Sequence, residues 1–203
     1  MPDPSPSALM CDARPNLILF GEALRGEGNA VGHIDLAIGN REGHMGPAML
    51  NALSRQSRGH SILLAGTPNL IVKPPTLTVT KVTIQDGVQA GRMFGVGQDA
   101  TAKAIADELE AGTFNLLTTD PEKLGIICAI FIHWDANAQD DENIFRNNYW
   151  CVRTAIQRAA KGEPTAKQVI DGRNTKHVFA VPADPTKYAE TLALMRGEFV
   201  KPA

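Results

Sequence analysis

Residues 30–40 read AVGHIDLAIGN, and two side chains in this apolar run can do chemistry. His33 and Asp35 stand two positions apart. A histidine exchanges protons near neutral pH. A neighbouring carboxylate can orient it, bind a metal with it, or hold a charged substrate. By itself the pair leaves three readings open: a satisfied structural pair, a metal site, or an acid/base pair facing a substrate. Lys81 and Thr83 repeat the two-residue spacing in TLTVTKVTIQD. Gln98 follows a glycine-rich stretch, GVG, and its amide both donates and accepts. His133 in FIHWDA closes an apolar run beside Trp134 and Asp135, and reads as a structural or interface residue. His44, His60 and His177 have no metal-ligand spacing and read as surface.

The elements that must position these residues follow from periodicity. NLILFGEAL reads as a first strand, and RGEGNAVG as a turn. GHIDLAI alternates strictly. Ile34, Leu36 and Ile38 point one way, and His33, Asp35 and Ala37 the other, which is the period of a strand. PAMLNALSRQ reads as a helix with Pro47 in its first turn. SILLAG, 61–66, reads as a short buried strand and TPNLIVKPP as a Pro-rich crossover. TLTVTKVTIQD reads as a strand that changes face. Leu77, Val79, Lys81 and Thr83 share one phase while Val82 and Ile84 take the other. A bulge near Thr80 or a sheet covered on both sides accounts for that.

Asp86 is placed to cap a helix running to about Met93, followed by a break at GVGQ. A second helix is expected over about Ala100–Glu110, stopped by Gly112. LGIICAIFI is an unbroken apolar run of strand length and reads as a central strand. HWDANAQDDE reads as a polar loop. From about Glu142 to Lys161 apolar residues recur at helical spacing, and Gly162 and Pro164 end the helix. Strands and helices mix without a strict βαβ rhythm. The expected fold class is therefore α/β or α+β, a layered sheet with helices against it.

The chain has 203 residues, 43% of them hydrophobic, and a formal net charge of −2, enough for one core and no basis for binding nucleic acid or an anionic membrane. Its 3 cysteines, at 11, 128 and 151, have no zinc or disulfide pattern, which fits a reducing cytoplasm. No run spans a bilayer and residues 1–15 do not read as a secretory signal. Their Pro and Ser content reads as a flexible lead-in. Neither GxxxxGK[ST] nor GxGxxG occurs in the context a nucleotide site needs. Cys128 and Cys151 read as packed small hydrophobes.

Several segments, taken in order, resemble the formaldehyde-activating enzyme family. They are GEAL..GEGN.VGHIDL at 21–36, SILLAG.PNL..KP.TL at 61–77, KVTIQD...A.RMFG..Q at 81–98, FIHWDA at 131–136 and IQRA..GEP.A at 156–166. The resemblance covers residues 16–180, leaving 181–203 as a C-terminal extension with room for one amphipathic helix. It implies an α+β two-layer fold like the second domain of ribosomal protein S5, in a cytoplasmic homopentamer with active sites between subunits. It implies condensation of formaldehyde with tetrahydromethanopterin to methylene-tetrahydromethanopterin and water, in one-carbon metabolism and formaldehyde detoxification, without a metal. By the same resemblance His33 is the proton donor, and Asp35, Leu64, Lys81, Thr83 and Gln98 contact the pterin.

The segment GNREGHMGPAMLNAL departs from the family's usual loop and helix start. That departure keeps a second expectation in view, a non-catalytic pterin- or formaldehyde-binding carrier or sensor of the same fold. A third is a scaffold whose oligomeric ring is its product. Turnover of the pterin separates the first from the second, and a monomeric native mass removes the third.

Overall fold

A computed structural model describes residues 10–26, 31–132 and 141–173. The expected turn at 27–30, the polar loop from His133 to Asp140 and the C-terminal extension lie outside the described residues.

The chain divides into two units, residues 1–163 and 164–203. The first is built on a mixed sheet of β1 (Ile18–Arg25), β2 (Gly32–Asn40), β3 (Ile62–Leu64), β6 (Thr76–Thr80) and β7 (Leu124–Ile132), in the order β1-β2-β7-β6-β3. β1 pairs antiparallel with β2, β2 with β7, and β3 with β6; only β6 and β7 run parallel. A parallel pair needs a long crossover. Here it is a continuous helical run: α3 (Gly87–Gly91), a π-helix at Arg92–Gly97, and α4 (Gln98–Glu110). An α+β sheet layered with helices is the architecture expected from the pattern.

The alternation of β2 sorts its side chains onto two faces. Ile34, Leu36 and Ile38 are buried on the inner face together with Ile126, Cys128 and Ile130 of β7. Against them packs α5 (Asp141–Lys161), through Ile144, Cys151, Val152, Ala155, Ile156 and Ala159. Each such aliphatic side chain contributes roughly 1.5–3 kcal/mol by leaving water. The helix comes so close to β1 that a Cβ on Gly21 would clash with the carbonyl of Ala155. On the outer face α2 (Met45–Ser54) covers only part of the sheet, where Met45, Met49 and Leu77 form a small second core with Ile18, Ala37, Ile62 and Ile127. The rest of that face carries Glu22, His33 and Asp35 among apolar neighbours such as Leu24, Ala129 and Phe131.

Several expectations are corrected. β3 is an edge strand rather than a buried one, with Leu63 and Leu64 exposed. The Pro-rich crossover folds into a small hairpin, β4 (Gly66–Thr67) against β5 (Leu70–Ile71). β6 ends at Thr80, and its residues are buried except for half-buried Val79. Val82 and Ile84, the out-of-phase residues, lie beyond the end of the strand, so the mixed phase comes from neither a bulge nor two-sided cover. Asp86 caps α3 as expected, accepting from the N–H groups of Val88 and Gln89 at 2.8 and 2.9 Å. GVGQ, however, breaks nothing: its glycines pass through the π-helix into α4. The lead-in does not stay loose as far as residue 15. α1 (Met10–Ala13) buries Cys11 completely, and the Cys11 N–H donates to Leu117 O at 3.1 Å.

In the second unit α6 (Ala166–Gly172) starts at a capping box. The Thr165 hydroxyl accepts from Gln168 N, and the Gln168 amide accepts from Thr165 N. No helix among the described residues is long and apolar enough to cross a membrane.

Candidate active site

The open part of the outer sheet face carries a row of charged groups set by strand register. His33 lies opposite Leu24 of β1 and Phe131 of β7, and Asp35 lies opposite Glu22 and Ala129. Directly opposed residues share a face. Glu22, His33 and Asp35 therefore point the same way, away from the core. Lys81 follows β6 in phase with Val79, and its N–H still donates to Ile130 O of β7 at 2.9 Å. That bond holds Lys81 beside the sheet although the strand has ended.

The side chains meet. His33 Nε2 lies 3.1 Å from Glu22 Oε1 and 3.4 Å from Asp35 Oδ1. Lys81 Nζ donates to Asp35 Oδ2 in close contact. On the far side, Arg158 of α5 reaches around β1, its Nη1 donating to the Glu22 backbone carbonyl at 2.8 Å and lying 3.5 Å from Oε2. The result is a row of alternating charge, Arg158, Glu22, His33, Asp35, Lys81. His33 and Lys81 are the covered members, with side chains 20% and 22% exposed, while the carboxylates are half exposed. An imidazole between two carboxylates and open to one side can present a proton to a bound molecule, and Lys81 can hold an anionic or carbonyl oxygen there.

Of the residues nominated from sequence, His33, Asp35 and Lys81 come together. Thr83 does not join them: with the strand over, its hydroxyl pairs with His60 Nε2 at 2.9 Å. Leu64 and Gln98 form a separate group. The Gln98 amide donates to the carbonyls of Leu64 and Gly66 at 3.2 and 3.4 Å, while its Oε1 is buried and without a partner. Leu64 pairs with Leu77 on β6. Its strand β3 lies three strands from β2, about 14 Å across the sheet at about 4.8 Å per strand, and its register is level with Ala37, about 13 Å along β2 from His33.

Glu22 and Arg158 were not singled out in the sequence. The available signal was an acidic residue inside the apolar strand LFGEAL. Its partner became visible only through the β1–β2 register. Among the described residues no group of three His, Cys, Asp or Glu is placed to hold a metal ion. The cysteines behind the site are not nucleophiles. Burial, with Asp35 adding to it, pushes the Cys128 thiol up to about 12. Burial likewise pushes Cys151 up to about 12, and its Sγ donates to Gly32 O at 3.3 Å.

The family described as formaldehyde-activating enzyme (Fae) matches residues 20–180, which include all the charged groups of the row. A "5,6,7,8-tetrahydromethanopterin hydro-lyase" of Methanosarcina barkeri is 41% identical over 164 residues, covering 80% of this chain and 90% of the relative. A "Bifunctional enzyme Fae/Hps" of Methanoregula boonei is 44% identical over 155 residues, 76% of this chain and 38% of the relative. A "Bifunctional enzyme Fae/Hps" of Methanosarcina barkeri is 43% identical over 156 residues, 76% of this chain and 39% of the relative. The chain thus spans about two fifths of the length of the bifunctional relatives and most of the shorter one. Matched over most of its length by the family and by relatives more than 40% identical, the chain belongs to the formaldehyde-activating enzyme family.

Proposed function

We propose that this protein is a hydro-lyase that condenses formaldehyde with tetrahydromethanopterin, giving methylene-tetrahydromethanopterin and water, with His33 as the general acid. The observation that carries the reading is the position of His33 Nε2, 3.1 and 3.4 Å from two carboxylates on an open sheet face, in a chain of this family. A secondary amine adds to formaldehyde readily. The carbinolamine must then lose its hydroxyl oxygen, and hydroxide is a poor leaving group. A proton from His33 lets it depart as water and leaves an iminium. The second pterin nitrogen closes the ring on that carbon and returns its proton to His33. Both amine protons end in the water released, so His33 finishes as it began.

General acid help of this kind contributes typically 10²–10⁴-fold. Holding both nitrogens against one carbon supplies a further large share. Asp35 faces the cationic intermediate and favours it electrostatically, while Lys81 keeps that carboxylate in place. In this reading Leu64, Thr83 and Gln98 line the pterin. The partnerless Oε1 of Gln98 supports that role, because it leaves an acceptor for a ring N–H. The gap between the His33 and Gln98 groups supports sites shared between neighbouring subunits of a homo-oligomer, a pentamer by family resemblance, in the cytoplasm.

The deciding experiment is the rate of methylene-pterin formation, wild type beside His33→Ala. Acceleration by the wild type and loss of about 10²-fold or more in the variant is expected. Pterin binding without any acceleration would replace this reading by that of a non-catalytic binding protein.

A further inference from the structure

We propose that Glu22 is the positioning residue of His33: it holds the Nε2 proton of the ring, and so leaves Asp35 to the substrate. This rests on the reading of His33 as the acid. Two carboxylates compete for one imidazole nitrogen, and the surroundings divide their work. Asp35 is the farther, at 3.4 Å, and its other oxygen is taken by Lys81 Nζ. Glu22 is the nearer, at 3.1 Å.

Glu22 is also held from behind. Arg158 donates to its backbone carbonyl at 2.8 Å and lies 3.5 Å from its second carboxylate oxygen. The carboxylate therefore enters from the β1 side, where the register places Leu24 opposite His33. Lys81 holds Asp35 from the opposite, β6 side of the row. A substrate that draws on Asp35 would take the weaker of the two contacts on Nε2 and leave the stronger one intact.

The physical role is that of a carboxylate that fixes an imidazole's tautomer and orientation. No bond to Glu22 forms or breaks: the Nε2 proton stays on the ring beside it, and the protons that move are the two amine protons and the other proton of the imidazolium, the one on Nδ1. The division of labour gives a separable signature. Removing charge at Glu22 weakens a step, so it lowers kcat. Removing charge at Asp35 weakens both the grip on the pterin and the hold on the cationic intermediate, so it raises KM as well as lowering kcat.

The test uses the full chain and two independent readouts. In steady-state kinetics Glu22→Gln, which keeps the shape of the side chain, should lower kcat at least 10-fold with KM for the pterin within about twofold, the KM-against-kcat split of an effect confined to the transition state. Asp35→Asn should raise KM. In proton-detected nitrogen-15 NMR of the ligand-free protein, the His33 Nε2–H resonance should be observable in the wild type and in Asp35→Asn. It should be lost to exchange with water in Glu22→Ala. A Glu22→Gln enzyme with wild-type kcat, or a loss confined to KM, overturns the proposal, as does an Nε2–H signal that survives in Glu22→Ala. If the wild type shows no turnover, the reading of His33 as acid falls, and the NMR comparison decides the assignment of Glu22 separately.

Discussion

Among the described residues Glu108 of α4 is a completely buried carboxylate, and the consequence of stranding it can be worked out. Its Oε1 accepts from Arg153 Nε at 2.6 Å and from Gln157 Nε2 at 2.8 Å, both on α5, and its Oε2 accepts from Thr113 Oγ1. Arg153 also donates to Tyr149 Oη at 2.9 Å, and that hydroxyl donates to Asp107 at 2.6 Å. The cluster ties α4 to the helix that backs the sheet. Arg153→Met keeps the aliphatic stem and removes the guanidinium. Breaking a buried pair while leaving its charge behind costs about 3–5 kcal/mol. Here two neutral donors remain on Glu108, which favours the lower end, about 3 kcal/mol. Loss of the guanidinium over Trp150, 5.3 Å from the ring centroid, adds about 0.5–1 kcal/mol.

For a chain of this size the combined loss of about 3.5–4 kcal/mol lowers the midpoint of thermal unfolding by roughly 7–16 °C. Urea unfolding should show the same loss with an unchanged m-value. The double variant Glu108→Leu with Arg153→Met should recover most of the loss, because it buries no charge at all. A single variant within about 1 kcal/mol of wild type, or a double variant no better than the single, would refute the idea that an unpaired carboxylate sets the cost.

Two other expectations come from backbone and lead-in contacts. Gly21→Ala should destabilise by about 3 kcal/mol in urea unfolding, the upper end for overpacking. Its Cβ would meet the Ala155 carbonyl carbon at 2.8 Å and Ala159 Cβ at 3.2 Å, so the helix itself has to move. Asp12→Ala should cost about 1–2 kcal/mol at neutral pH, because Asp12 accepts from Thr118 Oγ1, Thr119 N and Thr119 Oγ1 at 2.6, 2.8 and 2.9 Å. Burial works to raise this carboxyl, but those bonds and Lys123 together hold it below the usual carboxylate range. A lowered folded value means the stabilisation is present above about pH 4 and is lost as pH falls through the folded value. The stability gap between wild type and variant, followed by denaturation across pH, should close in acid; a gap that persists there would show the bonds do not depend on ionisation.

The sequence by itself determined which side chains share a face. Strict alternation in GHIDLAI puts His33 and Asp35 together and Ile34, Leu36 and Ile38 opposite, because successive residues of a strand point to opposite sides. The unbroken run LGIICAIFI likewise determined an interior strand, since no solvent-facing position interrupts it. Family-wide segments carried the resemblance that the match over residues 20–180 bears out. What lay beyond local pattern was everything that depends on which strands are neighbours. Glu22 reaches His33 through the β1–β2 register, eleven positions away in the chain. Lys81 reaches Asp35 because β6 lies beside β7, which lies beside β2, and a 46-residue separation leaves no periodic trace. Thr83 parts from Lys81 despite the shared phase, because the strand stops at Thr80 and alternation lapses with it. Gln98 owes its partners to a π-helix that continues where glycines suggested a break. Local spacing settles orientation within an element; only packing settles which elements meet, and this site is assembled across the four neighbouring strands β1, β2, β7 and β6.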